Sequence, residues 1–203
     1  MVSHADSYPA LYEYIMEMVH CAAPPYMRMS HLTSELRAIV QAPHACIYDG
    51  LLGVPIDVYE FCERIASRRV GAPRPPHHAQ LFVPLRLEHW MVRHLVTIHL
   101  FSGSGTSHEG ASHVAYYDPH GASYEDESRV IVGLSEADNQ AVTPRRLVEI
   151  LMRTLPGWTC HSVGRKQQGV FSPFSCGLFN LQYISECVSG VKAPIDTRRE
   201  LGV

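Results

Sequence analysis

A polar loop that ends on a cysteine and passes directly into an apolar, helix-periodic run constrains this chain more than any other stretch. Residues 167–179 read Gln-Gln-Gly-Val-Phe-Ser-Pro-Phe-Ser-Cys-Gly-Leu-Phe. Gly169 and Pro173 mark a loop. Beyond Cys176, the residues Gly177, Leu181, Ile184 and Val188 fall on one helical face, with Phe179 and Tyr183 beside it. A thiol at the start of a helix meets unpaired backbone N–H groups and the positive end of the helix dipole, which favour negative charge and nucleophilic character. A buried structural cysteine would account for the same stretch, so the remainder of the chain decides between the two.

The chain has 203 residues, enough for one well-cored domain, and the expectation is a single domain over residues 1–203. Apolar residues at 46% and charged residues at 18% argue against disorder. A formal charge of −3 carries no basic signature, so no nucleic-acid partner is expected. Cys21, Cys46, Cys62, Cys160, Cys176 and Cys187 are scattered without a C-x-x-C pair or zinc-type spacing. They read as reduced thiols in a cytosolic environment, with no metal or organic cofactor. No apolar run is long enough to span a bilayer, and no signal peptide is visible at the N-terminus. A monomer is expected.

Three helices are expected in the first third: one over 10–21, one over about 30–40, and one capped by Asp57 with Val58, Phe61, Cys62 and Ile65 inside. Cys62 is read there as structural. Val70 to His78, rich in proline, reads as a loop whose histidines have no partner at metal-binding spacing. Then the period changes. Leu81–Leu85 reads as a short strand in which Pro84 marks an edge or an end. Leu95–Phe101 and Val114–Tyr117 follow as strands around a Gly/Ser loop. Thr143 caps a helix with Pro144 at its first position and Leu147, Val148, Leu151 and Leu155 inside. Pro156-Gly157 stops it, and Trp158–Val163 is another strand. Residues 191–203 read as a loose tail. Helices, then strands, then a cysteine-led helix make an α+β pattern with a small, mainly antiparallel sheet flanked by helices.

A thiol nucleophile needs a histidine, a group that orients it, and donors for the oxyanion. If the strands 95–101 and 113–117 pair about a turn centred near residue 106, Tyr116 faces Val96, Val114 faces Ile98, and His94 and Asp118 emerge together at one end. An aspartate there fixes the imidazole tautomer and stabilises its charged form. Gln168, just upstream of Cys176, can donate its amide to an oxyanion. Of the remaining histidines, His99 reads as a sheet residue and His108, His113, His120 and His161 are assigned no role.

Leu-Phe-Val-Pro-Leu at 81–85, His-Leu-Val-Thr-Ile at 94–98, Ala-Tyr-Tyr-Asp-Pro at 115–119 and Gln-Gly…Ser-Cys-Gly-Leu-Phe at 168–179 resemble the clan CE cysteine peptidases. These include proteases of SUMO and other ubiquitin-like proteins, bacterial effector deubiquitinases and adenovirus-type maturation proteases. The resemblance covers residues 80–188 and implies a papain-like fold of the ubiquitin-like-protein protease type, with the nucleophile at a helix N-terminus. Carried over by position, Cys176 is the nucleophile, Asp118 the partner of the histidine, and Gln168 the oxyanion donor with the backbone N–H of Cys176. The glutamine stands eight residues before the cysteine, so Gln167 competes with Gln168.

The family usually shows His-Trp, and this chain has both His89-Trp90 and His94-Leu95. With His89 catalytic, its strand would run on through Arg93 and His94 in mid-sheet, where burying unpaired charge costs several kcal/mol. His94 is therefore the favoured histidine. The resemblance implies a peptidase or isopeptidase acting after the Gly-Gly C-terminus of ubiquitin or a ubiquitin-like protein, with catalytic core at 80–190. Residues 1–79 and the loop Ser102–Ser112 are the expected recognition elements. Alternatives are a viral-type maturation endopeptidase, a YopJ-type acyltransferase with the same triad, or an inactive ubiquitin-binding module. A secreted effector acting in a host cytoplasm and a viral protein are both compatible settings.

Overall fold

Asp57 opens the helical part of the fold, and its side chain shows why the helix starts there. Its Oδ1 accepts the backbone N–H of Tyr59 at 2.9 Å and of Glu60 at 3.2 Å, satisfying two donors that a helix start leaves unpaired. The structure, a computed structural model, describes residues 45–48, 55–70, 79–89, 92–102, 112–164 and 176–188. The helices expected over 10–21 and 30–40, the Gln167-Gln168 pair, Trp90 and the tail lie outside the described residues.

The described elements run β1 (Ala45–Ile47), β2 (Ile56–Asp57), α1 (Val58–Val70), β3 (Ala79–His89), β4 (Val92–Ser102), β5 (His113–Tyr117), β6 (Val130–Ile131), β7 (Leu134–Glu136), β8 (Gln140–Ala141), α2 (Pro144–Thr154), β9 (Thr159–Val163) and α3 (Cys176–Val188). The main sheet has the order β1-β3-β4-β5-β9, with β6 also on β3; β2, β7 and β8 form a second, three-stranded sheet. The fold is α+β, and the main sheet, though most of its pairing is antiparallel, is mixed. β3, β4 and β5 are antiparallel neighbours, while β1 on β3 and β9 on β5 are parallel. The reason lies between β5 and β9. Parallel neighbours need a long crossover, and α2 lies within that connection.

Both faces of the sheet are covered. Val83, Leu85, Leu87, Val96, Ile98, Leu100, Val114 and Tyr116 pack against α1 (Val58, Phe61, Cys62, Ile65) and α2 (Leu147, Ile150, Leu151). Phe82, Leu95, Ala115, Tyr117 and Val163 pack against Cys176, Leu181, Tyr183 and Ile184 of α3. Strands buried on two faces read as nearly continuous apolar runs, as Leu95–Leu100 does. α2 starts as its sequence dictates: Thr143 accepts the Arg146 N–H at 3.2 Å, and Pro144 occupies the first position, where its missing N–H is no loss. Gly157, at φ 82°, turns the chain out of it.

Three sequence expectations change. The β4–β5 register places Tyr116 opposite Ile98 and Val114 opposite Leu100, two residues from the expected pairing. A slip of two keeps every side chain on its face, so apolar patterning alone cannot tell the two registers apart. β3 is eleven residues long, and Pro84 lies in its middle. The Phe82 and Arg86 carbonyls accept from Tyr48 and Val132 on the outer side of β3, which puts the Pro84 nitrogen on that same side, between the stretches paired with β1 and β6. The proline thus sits where no ladder bond is asked of it. Finally, Arg93 lies in the sheet after all, opposite Glu88 at the tip of the β3–β4 hairpin. His89 ends β3 opposite Val92, so the two candidate histidines stand on different strands.

Candidate active site

Asp118 is the first residue past β5, and the turn that follows holds it. Pro119 prevents the strand from continuing. The Asp118 carbonyl accepts the Gly121 N–H at 2.8 Å, and its Oδ1 accepts the His120 N–H at 2.7 Å. Gly121 adopts φ 75°, which an L side chain resists. The carboxylate is fully buried and has two further donors: Nε2 of His94 reaches Oδ1 at 2.8 Å, and Nη1 of Arg129 reaches Oδ2 at 2.5 Å. Burial alone would raise the carboxyl's pKa. The hydrogen bond and charge of His94, the Arg129 guanidinium and the His120 N–H outweigh it and hold the pKa below the ordinary value.

His94 is buried near the start of β4. Its Nε2 is committed to Asp118, and the nearby Cys176 side chain also favours the charged form of the ring. Burial opposes that form, but Asp118 and Cys176 prevail and raise its pKa. The His120 ring lies against it, with centroids 4.5 Å apart.

Cys176 is buried at the first position of α3, with the helix N–H groups around it. One turn on, Asn180 is completely buried and ties the helix to β4. Its Nδ2 donates to the Leu95 carbonyl at 2.9 Å and to the Cys176 carbonyl at 2.7 Å, while Oδ1 accepts from the Thr97 hydroxyl at 2.7 Å. Cys62, Cys160 and Cys187 are each pushed up to about 12 by burial, and therefore remain protonated, weak nucleophiles at neutral pH.

The structure thus brings Cys176 beside the hydrogen-bonded His94–Asp118 pair at one end of the main sheet. Gln168 and Gln167 lie outside the described residues, and of His89 only the backbone is described. Such an arrangement can pass a proton from a thiol to an imidazole and stabilise the imidazolium that results. The described ends of the loop Ser102–Ser112 lie away from this end. Eight residues of strand separate His94 from Ser102, about 26 Å at strand rise, and Ser112 lies beside it at the start of β5.

Sequence reading missed Arg129, His120 and Asn180. Arg129 lies eleven residues past its partner, across a turn-rich segment with no pattern to follow. Asn180 did leave a signal. It is the polar residue on the apolar stripe of α3, and a buried amide there needs partners.

No group of three or more metal-ligating side chains is found among the described residues, and no helix among them is long and apolar enough to cross a membrane. The sequence matches no family model and no curated protein. Among solved structures it is similar to the Legionella pneumophila effector protein RavZ. One RavZ structure aligns at 13% identity over 75% of this chain and 41% of that one, with a TM-score of 0.40. RavZ in complex with human LC3B aligns at 12% identity over 76% and 41%, with a TM-score of 0.39. The chain spans about two fifths of the length of the RavZ chains it matches.

Proposed function

We propose that this chain is a cysteine peptidase in which Cys176 is the nucleophile, His94 the general base and acid, and Asp118 the residue that orients the imidazole. The observation that carries this reading is the buried, hydrogen-bonded Asp118–His94 pair with the buried Cys176 thiol beside it at a helix start. Sγ of Cys176 attacks the scissile carbonyl carbon as its proton passes to Nδ1 of His94. The oxyanion is met by the Cys176 backbone N–H and by the side-chain amide of Gln168. His94 returns the proton to the departing amine, leaving a thioester on Cys176. Water, deprotonated by His94, then attacks the thioester and releases a carboxylate and the free thiol.

The substrate we propose is the Gly-Gly C-terminus of ubiquitin or a ubiquitin-like protein, cleaved from a peptide or isopeptide bond. The motifs at 81–85, 94–98, 115–119 and 168–179 support that class.

Ubiquitin-propargylamide and SUMO-vinyl-sulfone test the reading directly. One of them should form a covalent adduct that peptide mapping places on Cys176, and Cys176→Ala should abolish it. Capture by neither probe, with acetyl-CoA-dependent labelling instead, would turn the reading to acyl transfer. His94→Ala should remove turnover while His89→Ala retains it; the reverse would move the base to His89.

A further inference from the structure

We propose that Asn180 is the positioning residue that sets the distance and angle between nucleophile and base, standing in for a strand that the sheet lacks at this point. This deepens the reading of Cys176 and His94 as nucleophile and base, and rests on it.

The argument begins with β4. Its odd-numbered residues turn their backbone groups toward β5, as the outward-facing Phe82 carbonyl opposite His99 requires. β5 stops opposite Thr97, where Pro119 follows closely, so the Leu95 carbonyl has no strand neighbour to accept from. Asn180 supplies the missing donor at 2.9 Å. Leu95 adjoins His94 in the chain, so the amide fixes the backbone on which the imidazole is mounted.

The second Nδ2 proton goes to the Cys176 carbonyl, 2.7 Å away, which fixes the backbone that carries the thiol. Oδ1 in turn accepts from Thr97, two residues further along β4. One rigid amide therefore touches the strand of the base twice and the residue of the nucleophile once. Both its protons are used, and its oxygen has a partner. An apolar residue on this stripe of α3 would serve packing alone, as Ile184 does one turn further on. A fully satisfied buried amide instead selects one geometry.

Two readouts independent of any substrate separate positioning from stability: the rate at which iodoacetamide alkylates Cys176, followed by peptide mapping, and the NMR titration of the His94 ring. In Asn180→Ala we expect alkylation to slow by about tenfold or more, and the His94 titration to fall toward that of an ordinary histidine. Ile184→Ala, a core truncation in the same helix, should lower the melting temperature but leave both readouts in place. Thr97→Val, which removes one bond and keeps the two Nδ2 donors, should move both readouts in the same direction by less, and serves if Asn180→Ala fails to fold. Asn180→Ala or Thr97→Val behaving like Ile184→Ala overturns the proposal while the peptidase reading stands. If wild-type Cys176 alkylates no faster than Cys187, the dyad itself fails and the proposal with it.

Discussion

A buried carboxylate with three donors is only as stable as its least replaceable partner, and for Asp118 that partner is Arg129. Arg129 is one-fifth exposed and also reaches Asp126 at 3.4 Å, while Asp118 is wholly enclosed. Arg129→Leu leaves half of the carboxylate facing nothing. Breaking a buried pair from one side costs about 3 kcal/mol, and urea denaturation of the variant at pH 7 should show a loss of that order. The same change should alter how stability responds to acid. Asp118 has a folded pKa below its ordinary 3.8, so its contribution is present above that value and is lost as pH falls through the lower folded value. With Arg129 gone the folded pKa rises toward the ordinary value, so this carboxylate should have less stability to lose on acidification. At this scale the proposed members, Cys176, His94 and Asp118, could be named from the sequence, because thiol, imidazole and carboxylate come in a limited set and a workable order. It did not show Arg129 or His120, whose roles come from where a loop happens to return.

The starts of α1 and α2 were the most legible boundaries, because each is announced by a short side chain, Asp57 or Thr143, that hydrogen-bonds its own next turn. Thr143→Ala tests this. Losing the bond to the Arg146 N–H should cost about 1 kcal/mol, seen calorimetrically as a drop of about 3 °C in melting temperature. Strand ends were less legible. β3 and β4 extend to His89 and back from Val92, well beyond the apolar cores read as Leu81–Leu85 and Leu95–Phe101, because the backbone ladder runs on through Glu88 opposite Arg93. The β4–β5 register escaped for a different reason. Alternation fixes the face of a strand but repeats every two residues, so only the intervening loop could have selected between two apolar registers. The parallel attachment of β9 was there to be read, since a helix between two strands is the ordinary crossover.

Across the whole molecule, two buried histidines pull stability in opposite directions with pH. His99 packs on Phe82 and hydrogen-bonds Tyr183 through Nδ1, with His113 and His161 nearby. Burial, with a further push from those two neighbours, lowers its pKa to about 3. A folded value below the unfolded one means that stability falls as pH drops below about 6.5. Between pH 7 and 5 the loss from His99 should be about 2 kcal/mol, and it is insensitive to the folded value so long as that stays well under 5. His94, raised above 6.5, contributes most below that pH and loses its contribution as pH rises through its folded value. His99→Phe should therefore remove the decline between pH 7 and 5, and paired urea titrations at the two values would reveal it. An unchanged decline would place the acid sensitivity elsewhere.

The parallel pairing of β9 with β5 also makes the two ends of the molecule unequal as sites for engineering. Val163 lies beside Tyr117, so the chain leaves the sheet next to Asp118 and comes back to it at Cys176. The segment 164–175 therefore connects a strand end beside Asp118 to Cys176, both members of the proposed site. The connection between Ser102 and Ser112 starts and finishes at the opposite rim. A short peptide epitope spliced in near residue 107 should be silent in the probe-capture assay, whereas the same splice near residue 170 should abolish capture. Graft tolerance in this protein is thus dictated by the direction of one five-residue strand.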